Sequence, residues 1–163
     1  DSEWLAAVAG VDAAEVARRS DARRDARRAQ LLVFARWVLV MTNFERGLYA
    51  DPDADHDARW WSLVERYQLV RRPPGRSAPD WAAKIHLAVT PVYYQNYLYG
   101  ELVASQVEGA LRREHGGLVD RPAVGRTLVE RLFRPGASLR WDALVESATG
   151  EPLTPSHLAA QLS

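Results

Sequence analysis

Apolar residues recur along most of this chain at intervals of three and four, the spacing that lines one face of an α-helix. Residues 30–49 show it most clearly, through Leu31, Leu32, Phe34, Trp37, Val38 and Met41. Residues 5–28 are Ala- and Arg-rich, contain no proline and read as a helix of strong formers. Asp51-Pro52-Asp53 interrupts the pattern with turn chemistry, and residues 59–69 resume it as a short helix bearing Trp60, Trp61 and Tyr67. Arg72-Pro73-Pro74-Gly75 then opens a loop reaching about Pro79. Residues 81–90 form a short segment. Pro91 suits the first turn of a helix running through Tyr97 and Leu102 to about Glu114, where Gly116-Gly117 stops it. Residues 122–133 and 138–148 predict two more helices around Arg134-Pro135-Gly136, and a last begins near Pro155 with Thr154 as its N-cap. No internal repeat or strand pair emerges. The pattern predicts an all-α, multi-helix fold, with residues 1–163 as a single helical domain.

Composition narrows the options. The chain has 163 residues, 47% of them hydrophobic and 26% charged, which suits one soluble globular domain. A formal net charge of zero supplies no global field toward nucleic acid or an anionic membrane. With no cysteine, disulfides and thiolate metal sites are excluded. The longest apolar stretch, residues 31–41, is about half the length a membrane span requires and carries Arg36. Asp1-Ser2-Glu3 lacks the basic start and apolar run of a signal peptide. The expectation is a soluble protein with neither a nucleic-acid nor a membrane partner, and a processed or excised piece, since the chain does not begin with Met.

Arginine supplies every basic residue except Lys84. Such a skew reflects a GC-rich coding sequence and points to a bacterial source. A lone surviving lysine is also where a compact ammonium, not a planar fork, would be needed. Arg18, Arg19, Arg23, Arg24, Arg27 and Arg28 recur at helical spacing, interleaved with Asp21 and Asp25. Acids three or four residues away read as partners on a solvated helix face.

The candidate chemistry lies between Lys84 and Tyr97. Tyr94 and Tyr97, three apart on a helix, would project onto one face. Lys84 and His86, two apart in an extended stretch, would share a side. An ammonium and a phenol can hold a carboxylate, while an imidazole and a second phenol can donate to an oxyanion. The same residues also read as amphipathic core tyrosines beside a hydrogen-bonded core histidine.

The segment Trp60-Trp61-Ser62-Leu63-Val64-Glu65-Arg66-Tyr67-Gln68 resembles the Trp-Trp-x-Leu-x-x-x-Tyr-Gln segment of the angiotensin-converting-enzyme family of zinc peptidases. In both, a Pro-Pro loop, a Lys-x-His, a Thr-Pro and a tyrosine-rich helix follow. Order and approximate spacing match over residues 37–111, close to half the chain. Pro91 through Glu101 also resembles the equivalent helix of oligoendopeptidase F and thimet oligopeptidase.

The resemblance implies roles. Lys84 matches the lysine that holds the substrate's C-terminal carboxylate, and His86 the histidine that hydrogen-bonds the substrate backbone near the scissile bond. Aligning on Ala110-Leu111 needs one deleted residue between His86 and Thr90. Tyr94 then matches the carboxylate-binding tyrosine and Tyr97 the oxyanion-stabilising one. Without the deletion Tyr93 takes the carboxylate role and Asn96 the oxyanion position. The chloride-binding arginines of the family fall at Val64 and Asn96, although Trp60 is retained, so chloride activation is not expected. The His-Glu-x-x-His of such peptidases does not occur, since His56, His86, His115 and His157 are scattered. The expected zinc ligands therefore lie N-terminal to Asp1, in a metal-binding part of the same protein. This segment alone would bind no zinc and be inactive. It would form one wall of a peptide-binding cleft in a dipeptidyl carboxypeptidase or oligopeptidase. The alternative is a peptide-binding module or pseudoenzyme that lost the zinc site.

Overall fold

A computed structural model describes residues 2–163, and among them there are helices and no strands, so the protein is all-α. In chain order the α-helices are α1 (Ser2–Ala7), α2 (Ala13–Arg18), α3 (Ser20–Ala50), α4 (His56–Gln68), α5 (Ile85–Ala88), α6 (Gln95–His115), α7 (Pro122–Leu128), α8 (Trp141–Thr149) and α9 (Ser156–Leu162). Short 3₁₀ turns occupy Asp80–Ala83 and Gly136–Ser138, and a π-turn spans Val129–Phe133. The backbone divides into two compact units. One is Ala29–Gly100; the other joins the described residues up to Arg28 with Glu101–Ser163.

The Ala29–Gly100 unit is built on large rings. Val40, Met41 and Phe44 of α3 meet Trp60 and Val64 of α4 in a buried cluster, with Trp37, Leu48, Tyr67, Trp81 and Tyr94 packed against it. The spacing of 37, 41, 44 and 48 keeps these side chains on one stripe of α3. Ring pairs meet edge to face, Phe44 with Trp60 at 5.2 Å and Trp37 with Trp60 at 5.7 Å between centroids. That geometry sets the positive ring edge on the negative face and is worth about 0.5–1.5 kcal/mol beyond area burial.

Polar side chains fix the ends of α4. Asp55 accepts the Ala58 N–H at 2.9 Å as N-cap, and Leu69 closes the helix in the left-handed region, φ 59°. Gln68 Nε2 donates to the Val33 carbonyl at 3.1 Å, and Arg36 donates to the Tyr67 carbonyl. Asp80 then pins the following loop. It accepts the Trp61 indole N–H at 3.1 Å and pairs with Arg76, whose guanidinium holds its carboxyl below the usual carboxylate range.

The second unit turns on one polar residue. Gln106 of α6 is completely buried. Its amide donates to Thr149 Oγ1 and the Glu151 carbonyl at 2.9 Å and to the Pro152 carbonyl at 3.2 Å, while its oxygen accepts the Thr154 N–H at 2.9 Å. One amide thus holds two carbonyls and one N–H of the α8–α9 loop. On the basic stripe, Arg24 pairs with Asp21 at 2.8 Å and Arg28 with Asp25 at 3.6 Å, as the interleaving predicts, and Glu15 takes Arg18 and Arg19.

Several boundaries differ from the pattern. The helix expected over 5–28 breaks at Gly10, whose φ of 67° is left-handed, and restarts under the Asp12 cap. Nothing breaks the chain between Arg28 and Gln30, so α3 runs through. Residues 122–133 begin as α7 and end in the π-turn. The helix expected from Ser138 starts at Trp141, and that expected from Pro91 starts at Gln95. At the last helix Pro155 takes the N-cap position, while Thr154 Oγ1 accepts the Ser156 N–H at 3.3 Å.

Candidate functional site

Every predicted site residue falls in the Ala29–Gly100 unit, on the path from the Asp80–Ala83 turn into α6. The expectation that Lys84 and His86 share a side of an extended stretch is corrected. Lys84 is extended, φ −88° and ψ 103°, but His86 lies in the single turn of α5. With no partner strand to hold Ile85–Ala88 straight, local backbone bonds curl it: Leu87 donates to Lys84 at 2.9 Å and Val89 to Ile85 at 2.8 Å.

A turn through Pro91 and Val92 then brings the chain back. The tyrosines lie at the opening of α6, where the Tyr93 carbonyl accepts the Asn96 N–H at 2.9 Å and the Tyr94 carbonyl that of Tyr97 at 3.2 Å. This fold-back gathers His86, Tyr93, Tyr94 and Tyr97 into one cluster. His86 Nε2 and Tyr97 Oη are 3.0 Å apart, a hydrogen bond whose donor depends on the tautomer. The edge of one ring meets the face of the other between His86 and Tyr94, with centroids 4.8 Å apart, while Tyr93 stacks near-parallel to His86 at 6.4 Å. Tyr94 and Tyr97 stand 5.1 Å apart, neighbours as their spacing implies. Tyr93 also meets Tyr97, at 5.6 Å, as residues four apart do on a helix. Tyr93 and Tyr97 are exposed at 42% and 40%.

Tyr94 is half-buried. Burial raises its phenol above the ordinary value, a hydrogen bond from the Trp37 indole works against that, and neighbouring Tyr97 adds to it. The group therefore stays protonated at neutral pH and remains a donor.

Lys84 stands beside this cluster, not in it. Its Nζ lies over the faces of Trp37 at 5.4 Å and Trp60 at 5.6 Å. The ammonium borders a groove of about 880 Å³ lined by Trp37, Trp60, Trp61, Pro73, Pro74 and Arg76 among others. Trp37 joins the two parts, offering its face to Lys84 and its indole N–H to Tyr94. Each of these partly exposed cation–π contacts contributes about 0.5–1 kcal/mol, so that the two together are comparable with or weaker than a charge-assisted hydrogen bond of about 1.5–3 kcal/mol. An arriving carboxylate can therefore draw the ammonium from the rings.

Two contributors escape motif reading. Trp37 reads as one more apolar position of a helix. Glu45 is 5% exposed within the apolar stripe of α3, and it accepts the Val92 N–H at 2.5 Å and the Tyr49 hydroxyl at 3.2 Å. Its signal was a carboxylate directly after Phe44. Of the two positions matched to chloride-binding arginines, Val64 is in the core and Asn96 in the first turn of α6.

Among the described residues, no group of three or more His, Asp or Glu could hold a metal ion. The other histidines each have a local partner: His56 the Pro52 carbonyl at 2.8 Å, His115 the Thr127 hydroxyl at 3.0 Å, His157 the Glu151 carboxylate at 2.9 Å. No helix of the described residues is long and apolar enough to cross a membrane. No protein-family model matches this chain, and neither a curated protein nor a solved structure matches it.

Proposed function

We propose that this chain grips peptide substrates and stabilises the oxyanion as part of a zinc-dependent peptidase for short peptides, of dipeptidyl carboxypeptidase or oligopeptidase type. The observation that carries the reading is the 3.0 Å contact between His86 Nε2 and Tyr97 Oη within a ring of tyrosines. With the imidazole donating to Tyr97 Oη, the phenol hydrogen is left free to donate to a substrate oxygen, and a donor aimed at charge that develops only in the transition state accelerates the chemical step. Lys84 and Tyr94, which share Trp37, suit a substrate carboxylate: the ammonium supplies charge and the protonated phenol a hydrogen bond. That shared neighbour favours Tyr94 over Tyr93 for the carboxylate, and the imidazole contact favours Tyr97 over Asn96 for the oxyanion. Zinc, held elsewhere in the complete enzyme, would supply Lewis-acid activation of the carbonyl and of water.

Binding can be tested without metal. A short peptide with a free C-terminal carboxylate should bind the chain more tightly than its amidated form by roughly tenfold to a hundredfold, the value of a charge-assisted hydrogen bond. Lys84→Ala should erase that difference, as read by calorimetry. Equal affinities for the two forms in the unaltered chain would end the carboxylate reading.

A further inference from the structure

The turn that folds His86 back onto the tyrosines is conformationally unfavourable by itself. Val92 sits at φ 56°, a left-handed conformation that a β-branched side chain rarely adopts. Its side chain is 63% exposed, so packing does not force it there. Strained residues of this kind persist where their surroundings over-determine them. Here both backbone polar groups of Val92 are taken by side chains. Glu45 Oε1 accepts its N–H at 2.5 Å, and Gln95 Nε2 donates to its carbonyl at 2.7 Å.

Gln95 follows the turn closely in sequence, whereas Glu45 reaches it from α3, 47 positions away. Glu45 is itself buried, flanked by Phe44 of the core. The carboxylate therefore ties the joint between the two halves of the cluster to the least exposed part of the unit. His86 precedes that joint, while Tyr93, Tyr94 and Tyr97 follow it.

We infer that Glu45 is a positioning residue: by holding the Val92 N–H it keeps the Pro91–Val92 turn left-handed and so keeps Tyr97 within hydrogen-bonding reach of His86. The functional value of this arrangement rests on the peptidase reading above. The arrangement itself does not, and its test needs neither zinc nor peptide.

The test uses the 163-residue chain, with amide hydrogen exchange at Val92 and the ring-nitrogen resonances of His86 as readouts. Glu45→Ala should speed Val92 exchange on the order of tenfold to a hundredfold, as expected for losing a hydrogen bond to a charged group. It should also move the His86 signals to those of Tyr97→Phe. Glu45→Gln should keep both near their original values, because the carboxamide oxygen still accepts. Adding Val92→Gly to Glu45→Ala should restore the His86 signals, since glycine adopts this φ without the Cβ clash. A Glu45→Ala chain with unchanged His86 signals would overturn the inference. So would a loss that Val92→Gly does not repair, which would make Glu45 a packing residue only. If Glu45→Ala fails to fold, the double variant decides: a folded chain with the original His86 signals supports the inference, and an unfolded one or one with altered signals overturns it. Equal affinity for free-acid and amidated peptides would remove the peptidase reading and leave these outcomes untouched.

Discussion

The two units reach order by opposite chemistry. Ala29–Gly100 buries Phe44, Trp60 and Met41 almost completely, and rings supply the contacts that position its helices. The other unit buries Gln106, whose amide meets the Thr149 hydroxyl at the end of α8 and two carbonyls and one N–H of the α8–α9 loop. An apolar core fails by leaving a cavity, so its cost scales with lost volume. A polar hub fails by stranding partners that have already left water, so its cost scales with their number. The proposed site belongs to the ring-built unit. Its aromatic floor supports the phenols and the ammonium chiefly through ring contacts, with the His86–Tyr97 hydrogen bond beside them.

The largest effect should come from breaking that floor. Phe44→Ala should cost about 3–5 kcal/mol by cavity formation, read from urea unfolding followed by tryptophan fluorescence. A cost under about 1 kcal/mol, ordinary for a surface change, would mean that the rings do not carry this unit. Next, on the peptidase reading proposed above, Tyr97→Phe in the proposed complete enzyme should lower kcat about 10²–10³-fold with KM little changed. Wild-type turnover would return Tyr97 to a purely structural role. Tyr93→Phe is the companion: a raised KM confined to free-acid peptides would move the carboxylate role from Tyr94 to Tyr93.

On the polar side, Gln106→Ala should cost about 1–3 kcal/mol through unpaired buried groups. Faster exchange of the Thr154 amide should accompany it. Protection of that amide equal to the parent's would show that water replaces the glutamine, and would dissolve the contrast between the units. The smallest effect concerns pH. Asp80, its pKa lowered chiefly by the hydrogen bond from Arg76, contributes stability in full above its unfolded value near 3.8. As pH falls below that value through the folded pKa, the contribution disappears. The Trp61 indole N–H, which Asp80 accepts, should show the change by NMR in that acidic window and not at neutral pH. A transition near pH 6 would assign it to another group.

Local features were legible in the sequence and distant pairings were not. Apolar periodicity identified most of α3 and α4, and Tyr94 and Tyr97 came out adjacent as their spacing implies. The start of α6 was misplaced because Pro91 suits a first helical turn, while the left-handed Val92 that prevents it depends on a carboxylate far away in sequence. Lys84 stood out by its rarity, but its seat on Trp37 and Trp60 joins three separate segments. Gln106 carried no signal at all: between Ser105 and Val107 it reads as an ordinary helix former.

The seat of Lys84 has an optical consequence. Light absorption shifts electron density within an indole, so its emission responds to a cation held over the ring. The Lys84 ammonium is such a cation for Trp37. A carboxylate that draws it away would alter the colour and yield of that emission at the moment of binding. With the other tryptophans replaced by phenylalanine where folding allows, Trp37 becomes a chromophore built into the proposed recognition site, reporting occupancy with no label attached.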